Sequence, residues 1–250
     1  MFRLTQVSRA LDRFHHVVSL VDAESPRGGD GPLAERLDRI CRVAVRLLPA
    51  DGAGITMTDR NAHPLGTAAA SSPLFRRLED IQFTLGEGPC VEASAARSPA
   101  IEEDVGRTGT RRWPAFAAAA LEEGVNAAFA FPVHVGAARL GVLDLYRYRA
   151  GPLTPESLRD ALCLARVCLT TMLQQSVHGP VGDAADGMGD AFPLSSEVYQ
   201  AQGVVMVQLE VPLAEAMVRL RAHAYASGQP IIDVARGILD GRIVFTREDV

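Results

Sequence analysis

The sequence predicts an α+β domain, with an antiparallel sheet flanked by helices, followed by a small bundle of three helices. Two strand-like segments, residues 127–135 and 139–148, flank a glycine-containing turn, and the second alternates two sets of side chains as a β-strand does. Segments before and after this hairpin repeat apolar residues at helical spacing. Beyond residue 195 only the helical period remains. Strands and helices mixed with an antiparallel hairpin are typical of the α+β class.

The first 24 residues predict a helix ahead of the domain. In residues 5–21 apolar side chains recur every three or four positions, and a loop containing proline and glycine follows. A second helix is predicted over residues 32–48, because Pro32 suits a first helical position and Pro49 ends the periodic stretch.

The central segment predicts short strands and short helices. Turn residues separate its strand-like stretches, and LGEGPC at residues 85–90 leads directly into a helix. Trp113 and Pro114 open an alanine-rich helix, and Thr154 caps a long helix after the hairpin. The predicted elements before the hairpin are strands over 53–58 and 65–70, helices over 73–80 and up to 96, a strand over 99–102 and a helix ending near 124.

Residues 178–194 predict a flexible linker, since glycine and aspartate dominate there and no apolar period remains. This segment divides a domain over residues 25–177 from a helical module over residues 195–250. In the module Ser195 or Ser196 is the expected cap of the first helix. Prolines and glycines delimit the other two helices, which begin at Pro212 and Pro230 and end at Gly228 and Gly241.

The charge and residue types argue against several functions. All 25 basic residues are arginine and the net charge is −5, so Schiff-base and P-loop lysines are excluded. The histidines lack metal-ligand spacing and no catalytic arrangement stands out, so we expect neither an enzyme nor a metal site, and no cofactor is indicated. No apolar run reaches the length of a membrane span and no signal peptide is evident. We therefore expect a cytoplasmic protein without membrane contact.

The cysteines are too few for a disulfide framework, and their apolar surroundings predict small buried side chains. Cys90 also lies at a predicted helix start, where the helix dipole lowers the pKa of a thiol. A redox role for Cys90 therefore stays open beside the structural one.

The last helices resemble the ANTAR family of RNA-binding antiterminators. The similarity lies in YQAQGVVM at residues 199–206, LAEAMVRLR at 213–221 and IDVA at 232–235, which stand in family order. The resemblance implies binding of paired hairpins in leader RNA, which prevents a terminator from forming. It also implies control by a sensor domain on the same chain, often through dimerisation.

The middle region is similar to GAF sensor domains, on the strength of LGEGPC at 85–90, Trp113-Pro114 and the hairpin ending in LGVL at 140–143. The resemblance implies a pocket for a small-molecule ligand between the sheet and the helices. It places Phe83, Cys90, Trp113 and Phe116 around that pocket. A filled core that acts only in dimerisation is the alternative.

The module has few candidates for RNA contact, because residues 195–250 contain only five arginines and as many as seven acidic residues. Arg219 is expected to pair with Glu215 one turn earlier. Gln202 stands where the family usually has lysine, and Gly203 permits either a close RNA approach or close helix packing. The expected RNA-binding residues are Tyr199, Gln202, Gly203, Arg221, His223 and Arg236.

The acidic balance leaves a second function open. The chain is expected to be a signal-responsive, RNA-binding regulator that promotes transcription antitermination and forms a homodimer. The alternative is a dimeric GAF sensor whose helical module binds another protein in place of RNA.

Overall fold

The computed structural model describes residues 2–27, 31–58, 64–178 and 193–246. Its N-terminal part alternates helices with the strands of one sheet, and most boundaries lie within a few residues of the predicted ones. The elements are α1 (Phe2–Ala23), α2 (Pro32–Leu47), β1 (Gly52–Thr58), β2 (Pro64–Ala70), α3 (Pro73–Leu85), α4 (Pro89–Ala96), β3 (Ala100–Glu102), a π-helical turn (Val105–Gly109), α5 (Thr110–Arg112), α6 (Pro114–Glu122), β4 (Ala127–Val135), β5 (Ala138–Arg147) and α7 (Pro155–His178).

The C-terminal part is entirely helical within its described residues. Short connections join α8 (Pro193–Leu209), α9 (Leu213–Ser227) and α10 (Ile231–Leu239), which pack together around one apolar cluster. This arrangement confirms the predicted three-helix bundle.

The sheet has five antiparallel strands in the order β2-β1-β5-β4-β3. Side chains of β5 alternate between its two faces, as the period of a strand requires. Leu143 and Leu145 enter the core beneath α2 and α7, whereas Val142 and Tyr146 enter the core beneath α3, α4 and α6. Two helical layers thus enclose an antiparallel sheet, which confirms the α+β prediction.

Two helix boundaries differ from the predicted ones. Helix α3 continues past residue 80 to Leu85, and Gly86 ends it in the left-handed conformation (φ 67°). Helix α8 begins at Pro193, so Ser195 and Ser196 lie inside the helix and the predicted cap is wrong. Proline is favourable in a first turn because it lacks the N–H that would go unpaired there.

The apolar side chains of α7 do not all face the core. Leu158 and Leu162 are exposed, whereas Ala161 and Leu164 are fully buried. The small side chain of Ala161 lets the helix lie close to the sheet, a packing effect that apolar periodicity does not capture.

The predicted linker falls largely outside the described residues. Helix α7 includes His178 and α8 begins at Pro193, so of the linker over residues 178–194 only its two ends are described. Its flexibility stays a prediction.

Candidate functional site

The bundle packs directly against the GAF-like sheet and α3. Phe83 of α3 is 9% exposed and lies in the apolar cluster of the bundle. The same cluster contains residues from all three C-terminal helices, among them Val205, Leu220 and Ile238. Phe83 therefore belongs to the contact between the two parts of the chain and not to a sensor pocket.

Two of the expected RNA-binding residues lie in this same contact, hereafter the docking contact. The hydroxyl of Tyr199 donates a hydrogen bond to the carbonyl oxygen of Pro64, at the start of β2 (2.9 Å). The guanidinium of Arg221 lies against Gly86, where a Cβ atom would come within 2.4 Å of Arg221 Nη1. Any larger residue at position 86 would require the guanidinium of Arg221 to shift.

Burial in the docking contact lowers the pKa of Arg221, because the charged guanidinium loses water. Its Nε atom is buried and has no hydrogen-bond partner. Arg221 forms no ion pair with any residue in the described parts of the chain. A buried cation without a counter-charge is unfavourable, which makes this side of the contact weak.

Two further expected RNA-binding residues lie on α8. Gln202 is buried and its Nε2 donates a hydrogen bond to the carbonyl oxygen of Leu213 (2.7 Å), so it joins α8 to the start of α9. Gly203 is half-buried, and a Cβ atom there would meet nothing within 4 Å among the described residues. Close helix packing therefore does not explain Gly203, whereas Gln202 has a clear structural role.

The remaining candidates lie at the outer surface of the bundle. The ring of His223 is 5.2 Å from that of Phe245, and Arg236 Nε binds Glu197 Oε2 at 2.9 Å. The predicted pair of Arg219 with Glu215 is confirmed, at 3.1 Å. RNA contact by the six residues stays a prediction, and two of the six are covered by the docking contact.

The residues expected to form a sensor pocket separate into two clusters. Cys90, Trp113 and Phe116 are buried together between α4, α6 and the sheet, with the rings of Trp113 and Phe116 6.2 Å apart in an edge-to-face arrangement. Phe83 lies in the bundle cluster instead. Sequence reasoning missed this because α3 was expected to end before Phe83.

The glycine-rich motif is a structural joint. The carboxylate of Glu87 accepts hydrogen bonds from the backbone N–H groups of Ala115 and Phe116 (2.7 and 2.9 Å), and so caps α6. Gly88 has a φ of 131°, and a Cβ atom there would lie 2.4 Å from Gln82 Oε1. The motif therefore connects α3, α4 and α6.

A buried polar cluster lies where α3 and α4 meet the sheet. Glu79 of α3 accepts hydrogen bonds from the hydroxyls of Thr56 and Tyr146, both at 2.6 Å. Gln82 Nε2 donates to the Tyr146 hydroxyl (2.9 Å), and Gln82 Oε1 accepts from the N–H of Cys90 (2.8 Å). The hydrogen-bonded network thus joins one turn of α3 to β1, β5 and the start of α4.

Asp144 of β5 completes this cluster. It is 1% exposed, and neither of its carboxylate oxygens has a hydrogen-bond partner that meets normal geometry. Burial raises the pKa of Asp144 well above its usual range, and the Glu79 charge raises it further. Burial also raises the pKa of Glu79 to about 7. Asp144 was visible in the sequence as a charged residue among the core-facing positions of β5.

The expected lowering of the Cys90 pKa is wrong. Burial raises it well above the usual value, and the neighbouring carboxylate of Asp144 adds to the rise. The helix dipole does not outweigh full desolvation here.

Glu102 is a further buried acid. It ends β3, within the predicted strand over residues 99–102, and is 3% exposed. Its Oε2 atom binds Arg112 Nη1 at 3.2 Å. The acid is buried because β3 pairs with β4 and carries its side chain beneath the π-helical turn.

Within the described residues, no helix has the length and apolar character needed to cross a membrane.

Comparison with known proteins assigns both parts of the chain. The family model of the GAF domain matches residues 31–162, more than half of the chain, and the model of the ANTAR domain matches residues 195–239. The chain therefore belongs to the GAF-domain family and carries an ANTAR domain after the sensor. Both are regulatory domains, and their combination is known from RNA-binding antitermination regulators.

Solved structures show weaker similarity. The GAF domain of an Acinetobacter phosphoenolpyruvate-protein phosphotransferase is 14% identical, with a TM-score of 0.49 over 69% of this chain and 98% of that chain. The corresponding domain from Coxiella burnetii is 16% identical, with a TM-score of 0.49 over 69% and 97%. Free methionine-R-sulfoxide reductase from Neisseria meningitidis is 17% identical, with a TM-score of 0.45 over 66% and 89%. No curated protein matches the chain significantly.

Proposed function

We propose that this protein is a signal-responsive regulator that binds leader-RNA hairpins through its ANTAR domain and promotes transcription antitermination. The observation that carries the proposal is the presence of GAF and ANTAR domains on one chain, with Tyr199 and Arg221 covered by the GAF domain. The docked arrangement is the state with low RNA affinity. Release of the bundle exposes both side chains to RNA.

The docking contact has the properties of a reversible one. The apolar part, centred on Phe83, stabilises it, whereas the unpaired charge of Arg221 opposes it. In the proposed mechanism, a change in the GAF domain shifts the balance between these two contributions. RNA itself favours release, because phosphate supplies the counter-charge that Arg221 lacks in the docked state.

Electrophoretic mobility shift with paired-hairpin leader RNA tests this function. The full chain is compared at low and moderate salt, and against the same hairpins with scrambled loops. Specific binding that weakens with salt supports the proposal, because phosphate contacts release counterions. Tyr199→Phe, which removes the hydrogen bond to Pro64, should bind RNA more tightly if the hydroxyl serves mainly in docking. Absence of any shift from a folded chain and from this variant refutes RNA binding.

A second candidate is a dimeric GAF sensor whose bundle binds another protein. The bundle exposes several large apolar side chains, among them Val207, Val218 and Tyr225. It also contains more acidic than basic residues. RNA that co-purifies with the chain argues against this candidate. A stable protein complex without RNA affinity favours it.

The proposal includes a homodimer, a small-molecule signal for the GAF domain and a cytoplasmic location. Leu11 of α1 and Leu158 and Leu162 of α7 are exposed on adjacent helices, which offers an apolar surface to a second copy.

A further inference from the structure

We propose that Glu79, Cys90 and Asp144 form a binding site for one divalent metal ion of the borderline class to which Zn²⁺ and Fe²⁺ belong. The site lies in the GAF core, between α3, α4 and β5. The proposal goes beyond the RNA function and does not depend on it.

The three side chains already converge on one point. One ligand atom from each residue, two carboxylate oxygens and a sulfur, lies within 4.8 Å of the other two. Ligand atoms around a tetrahedral zinc ion are about 3.5 Å apart, given metal–oxygen and metal–sulfur distances of about 2.0–2.3 Å. A contraction of about 1 Å, well within rotamer adjustment, brings the cluster to that spacing.

The burial of Asp144 is a second observation that points to a ligand, since its polar neighbours are the other two residues of the cluster, Glu79 and Cys90. Both of its oxygens are buried without a hydrogen-bond partner of normal geometry, although buried carboxylates are otherwise almost always paired. Within the described parts of the chain, neither Asp144 nor Glu79 forms an ion pair. A metal ion supplies the missing positive charge for both acids.

The backbone also leaves room for this arrangement. Gly54 of β1 pairs with Asp144 of β5, and a Cβ atom at Gly54 would lie 2.2 Å from Glu79 Oε1. The absence of a side chain at residue 54 is what lets the Glu79 carboxylate reach the sheet beside Asp144. Hydrogen bonds from Thr56 and Tyr146 then fix its orientation, as outer partners do for metal ligands.

The ligand set selects the class of metal. A thiolate disfavours Mg²⁺ and Ca²⁺, which take oxygen ligands, and two carboxylates disfavour a purely thiophilic ion. Binding converts the Cys90 thiol to thiolate and any protonated carboxyl to carboxylate, with the protons released to solvent. Three protein ligands leave a fourth tetrahedral position open.

Cobalt provides the test, since Co²⁺ bound by a thiolate absorbs through sulfur-to-metal charge transfer. The full chain is expressed in cobalt-supplemented medium, because the site is buried and must be loaded during folding. All variants carry Cys163→Ser, which removes the half-exposed thiol of α7 as a competing ligand. We expect one Co²⁺ per chain and a charge-transfer band, both lost when Zn²⁺ replaces cobalt in the medium.

Two variants and one control decide the assignment. Cys90→Ser should abolish the band, and Asp144→Asn, which keeps the shape of the side chain, should lower bound cobalt at least tenfold while the far-ultraviolet circular dichroism is unchanged. Cys41→Ala, at a buried thiol in the other core cluster, should keep both signals. A chain without stoichiometric metal, or a band that persists in Cys90→Ser, overturns the proposal. If metal is absent and Asp144→Asn raises the melting temperature, the acids are simply neutral in the core and the site is refuted.

Discussion

Replacement of Gly86 by alanine should release the ANTAR bundle from the GAF domain. A Cβ atom at residue 86 would lie 2.4 Å from Arg221 Nη1, whereas ordinary contacts begin near 3.4 Å. The guanidinium must therefore move by about 1 Å or leave the contact. If the docking contact loses about 1.4 kcal/mol of free energy, the fraction of molecules with a released bundle rises about tenfold. The apparent affinity for hairpin RNA should rise by up to the same factor.

The control for this experiment is Gly228→Ala. Gly228 ends α9 with φ 63° and ψ 22°, almost the same backbone as Gly86 with φ 67° and ψ 20°. A Cβ atom at Gly228 meets nothing within 4 Å in the described structure. Both variants should lose about 1 kcal/mol of unfolding free energy, because alanine is strained in the left-handed region. Only Gly86→Ala should increase RNA affinity and the rate of amide hydrogen exchange in α9.

An equal effect of Gly86→Ala and Gly228→Ala on RNA affinity would contradict the predicted release of the bundle. If RNA affinity rises in neither, or in both, the contact between Gly86 and Arg221 does not restrain the bundle. Urea unfolding measures the backbone cost, so loss of stability is separated from release of the contact.

Three other changes test separate contacts. Tyr199→Phe removes the hydrogen bond to Pro64, so it should speed amide exchange in α8 by up to about fivefold, for a loss of about 1 kcal/mol; unchanged exchange would argue against docking through this bond. Arg112→Met leaves Glu102 buried without its cation and should lower the free energy of unfolding by about 2 kcal/mol in urea titration; a stability within 0.5 kcal/mol of the parent, on the order of a surface substitution, would contradict this. Leu162→Glu should convert the proposed homodimer to monomer in light scattering, and a dimer that persists would contradict an interface through the exposed leucines of α1 and α7.

The strands and the bundle could be predicted because their signals are local. The hairpin of β4 and β5 has alternating side chains and a glycine turn, and the C-terminal helices are delimited by Pro212, Gly228 and Pro230. Each of these features acts within a few residues, so one sequence suffices to recognise it.

The positions of the docking contact and of the buried polar cluster could not be predicted, because both depend on residues that are distant in sequence. Phe83 lies beside a bundle more than a hundred residues further on, and nothing in its neighbourhood distinguishes that partner from an internal cavity. The structural role of Gln202 could not be predicted either. A polar amide is expected at the surface, and only the structure shows its hydrogen bond to Leu213. The sheet register that brings Gly54 beside Asp144 is equally non-local.

Helix α3 ties the interior of the GAF domain to the ANTAR bundle over a single turn. Glu79 reaches the buried polar cluster, and Phe83, four residues later and about 6 Å along the axis, reaches the bundle. A ligand that shifts this turn changes both environments together, and thermodynamic linkage makes the effect reciprocal. Under the proposed function, RNA that captures the released bundle must then alter the affinity of the GAF interior for a signal by the same factor. The proposal thereby makes the transcript an effector of the sensor as well.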